Sequence, residues 1–360
     1  MTLCFAAQPN GLAAVFADAV VTSTRADNTV DYGTPLAIEA SFPAIYRPIA
    51  AQLRNLHRKV YAISDTSAFA CAGDEHQITE FFVEAEQYGD FIDTKTFKPG
   101  DDDLPMNLIC DLSKNFDKLE IVGMYSAYKE GNGTHINWVH PNEQFYKSIF
   151  GPIAYTGSGS DEFLKSLHRF EESSVARKLV SEKHPRRIVH ELRNNISNAA
   201  FDSALKSGET TSGPPSWGGI FHGLVRDIGG GWSWLPPMTH LFCEAVSVGA
   251  GRVVVEQVPI YLKYGSAEGI VDVGVFASDG TKEERVPVSS FQVGRPITRT
   301  LEWDRRVATV HVRTDRGSGM VFSFPICAAV ELRASGAAIL GLKINDKAKR
   351  EILELYHSMG

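Results

Sequence analysis

Thr2-Leu3-Cys4-Phe5-Ala6-Ala7-Gln8-Pro9-Asn10-Gly11-Leu12-Ala13-Ala14-Val15-Phe16-Ala17-Asp18 is the stretch whose reading decides the fold. An apolar run over 2–7 meets the turn chemistry of Pro9-Asn10-Gly11, and a second apolar run covers 12–21, which predicts two strands around a tight turn. Threonine at position 2 has a small side chain, so removal of Met1 is expected and leaves Thr2 with a free α-amine. A hydroxyl beside its own amine places nucleophile and base in one residue. The amine's reference pKa of ~7.7–8.0 suits proton transfer near neutral pH.

Working outward, residues 24–56 carry Pro35, Pro43 and Pro48 and read as an irregular insertion with one helical turn. Residues 59–64 and 68–72 read as strands, the second stopping at Gly73. A helix follows: Asp74 and Gln77 resemble a capping box, and Ile78, Phe81, Phe82 and Ala85 repeat at helical spacing. A second helix is expected after Asp103, with Pro105 in its first turn. A hairpin is expected over 119–128 and 135–139, a strand over 149–156 that ends at Gly157-Ser158-Gly159-Ser160, helices over 161–170 and 186–205, and a strand over 219–225. From about residue 232 strand-like runs dominate, at 252–264, 269–276, 286–293, 298–312 and 320–332, until an amphipathic helix over 345–357. This order predicts a layered α/β protein: a domain over 1–232, with 24–56 inserted, and a β-rich module over 233–360.

Composition sets the outer limits. Of 360 residues, 43% are hydrophobic and 22% charged, which excludes a mainly disordered or fibrous chain. A formal charge of -7 without a basic run argues against nucleic acid as a partner, and no apolar stretch approaches the ~18 residues of a membrane span. The apolar start lacks a basic segment before it and is broken by Gln8, Pro9 and Asn10, so it does not read as a signal peptide. Five scattered cysteines without a C-x-x-C pair argue against a disulfide framework or a zinc site and suit a reducing cytoplasm. The 11 histidines show no metal-ligand spacing, and no cofactor is expected.

With those elements placed, the chain resembles proteasome β subunits and their bacterial peptidase relatives over about residues 2–230. In that family an N-terminal threonine is followed sixteen residues later by an aspartate, and Thr2 to Asp18 keeps the interval. Thr22 falls where the family has a threonine lining the substrate cleft. Lys59-Val60-Tyr61-Ala62-Ile63-Ser64-Asp65 looks like the family's lysine strand, and Gly73 follows Lys59 by fourteen residues, as the oxyanion-hole glycine does. Ile121-Val122-Gly123, the hairpin, Thr156-Gly157-Ser158-Gly159-Ser160 and Ser216-Trp217-Gly218-Gly219 match later segments in order.

The resemblance implies a four-layer αββα N-terminal nucleophile hydrolase fold with the β-rich module appended. It also implies a threonine-type peptidase or amidohydrolase working through an acyl-threonine intermediate. Lys59 would stabilise developing alkoxide, Asp18 would compensate its charge, the Gly73 N–H would bind the oxyanion, and Ser158 would orient the amine. Two departures stand out. The Asp18–Lys59 interval is longer than in proteasome subunits. The carboxylate expected three residues before the closing serine is replaced by Gly213, so Asp202 or Glu209 would supply it, Asp202 being the first choice. A peptide or protein substrate, a homo-oligomer and an ATP-dependent unfoldase partner follow by family analogy. A catalytically silent scaffold and a relative acting on a small amide are the alternatives.

Overall fold

The computed structural model describes all residues except 1, 22, 25–29, 32, 95–108, 110, 130–132, 140–143, 209–216, 227–230, 250–251, 266, 278–279, 292, 303–306, 315–318, 326–329, 336–337 and 359–360. The opening stretch forms β1 (Leu3–Ala7) and β2 (Ala13–Asp18), joined by a 3-10 turn at Pro9–Gly11 in which Asn10 is left-handed. There follow the short pair β3 (Ser23–Thr24) and β4 (Val30–Asp31), helix α1 (Arg47–Gln52), β5 (Leu56–His57), β6 (Val60–Ala62), β7 (Ser67–Gly73) and α2 (Glu75–Thr94). The hairpin β8 (Leu119–Lys129) and β9 (Gly133–Val139) leads to β10 (Phe145–Ser148) and β11 (Gly151–Gly157). Three helices come next, α3 (Ser160–Glu171), α4 (Ser174–Glu182) and α5 (Pro185–Gly208), and then β12 (Phe221–Arg226) and β13 (Trp232–Trp234). The rest comprises β14 (Met238–Ser247), β15 (Val253–Gly265), β16 (Ile270–Ala277), β17 (Gly280–Ser289), β18 (Val307–Thr314), β19 (Gly319–Pro325), the pair β20 (Val330–Ser335) and β21 (Ala338–Ile344), and α6 (Asp346–Ser358).

Three large sheets result, ordered β10-β11-β1-β2-β12-β13, β6-β7-β8-β9 and β19-β18-β14-β15-β16-β17-β5. Alternation along the strands sends neighbouring side chains to opposite faces. Cys4 and Ala6 of β1 and Ala13, Val15 and Ala17 of β2 therefore pack against Val60, Ala68, Ala70 and Val122 of the four-stranded sheet. Leu3, Phe5 and Phe16 face the other way, onto Phe163 of α3, Leu179 of α4 and Leu192 of α5, with the Phe5 and Phe16 rings stacked at 4.4 Å. The outer face of β7 holds α2 through Phe69, Phe81 and Phe82.

The expected four-layer αββα sandwich is corrected by the third sheet. Phe201, Ala204 and Leu205 on the far side of α5, with Tyr46, Ile49 and Leu53 around α1, pack on Ile260, Leu262, Val271 and Val273 of the seven-stranded sheet. Its opposite face is covered by α6 through Ile352 and Tyr356. Helix α5 is thus covered on two sides, by the six-stranded sheet and by the seven-stranded sheet. Moreover, β5, from the inserted region, pairs in parallel with β17 at the edge of the seven-stranded sheet. The protein is β-rich, with mixed and antiparallel sheets, and is not a four-layer N-terminal nucleophile hydrolase sandwich.

Smaller differences have local causes. Asp74 caps α2, its Oδ1 accepting from the His76 and Gln77 N–H groups at 3.1 and 3.2 Å. Gln77 does not reach back as a capping box requires; its amide instead bonds Asp117 and the Lys118 N–H. Helix α4, capped by Ser173, was not expected from sequence. Asp103 and Pro105 lie outside the described residues. Among the described residues no helix is long and apolar enough to cross a membrane.

Register at the chain start depends on one glycine. Gly157 pairs with Leu3 at φ +105°, and a Cβ there would run into the Thr2 carbonyl oxygen. Gly157→Ala should therefore cost at least about 2 kcal/mol in urea unfolding, from backbone strain and overpacking together. Gly249→Ala, at φ +96° in open space, should lose only the conformational part.

Candidate active site

Two strand ends and one sheet-to-sheet crossing bring Thr2, Asp18 and Lys59 together. Thr2 directly precedes β1, and Asp18 ends the neighbouring antiparallel strand β2, opposite Phe221 of β12. Lys59 sits where the chain leaves the seven-stranded sheet at β5 and enters the four-stranded sheet at β6. The corner is pinned by backbone hydrogen bonds from Arg58 N–H to Ser289 O (2.7 Å) and from Cys71 N–H to Lys59 O (3.0 Å).

The Lys59 ammonium donates to Thr2 Oγ1 at 2.6 Å, Asp18 Oδ1 at 2.9 Å and the Val20 carbonyl at 2.6 Å. An ammonium has three N–H bonds, and all three are used. Asp18 is 0% exposed, Thr2 5% and Lys59 6%, so the pair is screened from water and each charge needs the other. The second Asp18 oxygen accepts from the Gly218 N–H at 2.9 Å. Burial pushes the Asp18 carboxyl above the ordinary carboxylate range, while Lys59 and the Gly218 N–H pull it back.

A cleft of about 80 Å³ opens onto this cluster, lined by Thr2, Val20, His57, Lys59, Gly73 and Phe291 among others. Gly73, at φ +122°, closes β7 so near β8 that a Cβ would strike the Lys118 carbonyl. His57 is held beneath Phe291, ring centroids 4.1 Å apart. Burial, with Lys59 and Arg58 nearby, lowers its pKa to about 4, so the imidazole is neutral at physiological pH.

The other expected residues divide. Ser158 is exposed and follows Gly157; it lines a neighbouring polar cleft with Glu120 and Asp161. Asp202 lies on α5 and forms an ion pair with Lys206 one turn on, at 2.6 Å, rather than facing the Thr2 cleft. Thr22, Glu209 and Ser216 lie outside the described residues. Sequence reasoning missed four partners: the Val20 carbonyl, the Gly218 N–H, His57 and Phe291. Backbone groups carry no residue signature. His57 had one signal, since it lies two positions before Lys59 and so shares its face of an extended chain. Phe291 had none, being 232 positions beyond Lys59.

This arrangement can lower the cost of negative charge on Thr2 Oγ1, because a cation donates a hydrogen bond to that oxygen and leaves the hydroxyl proton free to depart. Among the described residues no group of three His, Cys, Asp or Glu side chains is arranged to hold a metal ion. No protein-family profile matches the chain, and no curated protein matches its sequence.

Removing one buried charge strands the other. Asp18→Ala should cost about 3–5 kcal/mol in chemical unfolding, and the double variant Asp18→Ala/Lys59→Met should be less destabilised than Asp18→Ala alone.

Proposed function

We propose that the protein is an N-terminal-threonine amide hydrolase, acting through an acyl-threonine ester once cleavage of the Met1–Thr2 bond frees the Thr2 amine. The observation that carries this reading is the 2.6 Å hydrogen bond from the Lys59 ammonium to Thr2 Oγ1, inside a cluster whose charge is compensated by Asp18. Oγ1 attacks the amide carbonyl while its proton passes to the α-amine. Lys59 stabilises the charge that develops on Oγ1. The Gly73 N–H is the proposed donor to the oxyanion, and Gly73 lines the same cleft as Thr2. Collapse of the tetrahedral intermediate breaks the C–N bond, and the amine's extra proton leaves with the departing amine. Water, deprotonated by the same α-amine, then hydrolyses the ester. Ser158 is the proposed holder of the amine.

A silent binding protein is the competing reading. It draws on Asp202, whose carboxylate is engaged by Lys206 and not by the amine side of the cleft.

The deciding experiment combines intact mass with a threonine-directed electrophile. The expected result is a chain lacking Met1 that takes one equivalent on Thr2, no adduct on Thr2→Ala, and a rate lowered by about 10²–10³ in Lys59→Ala. Retained Met1, or labelling indifferent to Thr2→Ala, contradicts the proposal.

The pH profile has two limbs. Activity requires a neutral amine, so it should rise through ~7.7–8.0. It also requires ionised Asp18, whose raised carboxyl value should make activity fall, as pH drops, before the ~3.9 of an ordinary aspartate is reached. Measured kcat/KM from pH 4 to 9 checks both limbs.

A further inference from the structure

One wall of the Thr2 cleft comes from far along the chain. Beyond β17, Phe291 leans on His57, and its N–H donates to the Tyr61 hydroxyl at 3.1 Å; that hydroxyl donates to the Arg58 carbonyl at 2.6 Å. Farther on, the Gly294 N–H bonds Glu86 of α2, and the Arg295 N–H bonds the Ala62 carbonyl at 2.7 Å. The Ile297 carbonyl accepts from the Trp234 indole at 2.9 Å. Phe291 is thereby fixed against the β5–β6 corner that carries Lys59, and it lines the cleft together with Val20, Val21, Ala72 and Ile78.

The space left is small. About 80 Å³ is roughly half of the ~150 Å³ that holds a benzene ring, and well below the ~300–1,000 Å³ of sites for drug-sized ligands. Among the described lining residues the cleft's one cationic side chain is Lys59, and every N–H of it is taken. His57 is neutral there, and the Glu75 carboxylate is exposed at the rim.

Granted the Thr2 reading above, we infer that Phe291, seated on His57, sets the size limit of the cleft, so that the preferred substrates are amides whose acyl group bears a small uncharged side chain. Aromatic side chains are excluded by steric conflict with Phe291. Basic ones are excluded by length, the rim carboxylate notwithstanding.

The test uses two acetyl-dipeptide boronates that differ only in the group beside boron, methyl or benzyl; each would add reversibly to Thr2 Oγ1. Wild type should bind the methyl compound tighter by about tenfold or more. Phe291→Ala should abolish or reverse that preference, and Phe291→Leu, which conserves most of the volume and guards against a folding defect, should reduce it. Equal affinities in wild type, or an unchanged preference in both Phe291 variants, overturns the inference and leaves the Thr2 reading standing. Binding of neither compound, or binding untouched by Thr2→Ala, overturns the Thr2 reading and the inference with it.

Discussion

A lysine ammonium at 6% exposure with three acceptors is the constraint on which the site depends. A charge taken out of water is costly, and attraction to a partner repays that cost only when its hydrogen bonds are complete. Lys59 meets this condition with one carboxylate, one carbonyl and one hydroxyl. The carboxylate and the carbonyl belong to the β2 end and the residues just beyond it, which are held by β12 through Phe221 and by the Ala19–Ile220 hydrogen bond. The third acceptor, the Thr2 hydroxyl, is the one of the three with a proton to lose and an oxygen that can then attack. The electrostatics of burial and the chemistry of the nucleophile are the same interaction seen from two sides.

The fold serves that interaction by crossing sheets at the right place. Lys59 is neither in β5 nor in β6 but between them, so its backbone is tied to the seven-stranded sheet on one side and to β7 on the other. The β-rich C-terminal module supplies the β5 partner strand, covers α5, and contributes Phe291 to the cleft wall. Phe201, Ile220 and Phe242 share one core with Val20 and Leu56, so packing runs continuously from the residues after β2 into that module.

What was legible in the sequence was the register of residue types. Thr2, Asp18 and Lys59 were joined through the resemblance to proteasome β subunits, and the structure places the Lys59 ammonium within hydrogen-bonding distance of both other side chains. Continuous apolar runs bounded by turn signals gave β1, β2 and β7, whose two faces are both buried, and helical repeats gave α2 and α5. The layer count was not legible. Nothing in the pattern of α5 says that its second face is covered by a sheet, since a helix buried on two sides and one buried on a single side differ only in how wide the apolar stripe is. Asp202 was misplaced for a related reason: its helical position fixes its neighbour Lys206 four residues on, but not the direction of that face. The Gly218 N–H and Val20 carbonyl were invisible because any residue carries them.

The central claim is that the Lys59 ammonium is locked between Thr2, Asp18 and Val20. The most direct measurement is the ¹H–¹⁵N spectrum of the lysine side-chain ammonium groups at neutral pH. The account predicts one slowly exchanging Lys59 ammonium signal, visible beside the exchange-broadened surface lysines, shifted in Thr2→Ala and lost in Asp18→Asn. A Lys59 signal that exchanges as fast as the surface lysines in the wild-type protein would contradict it.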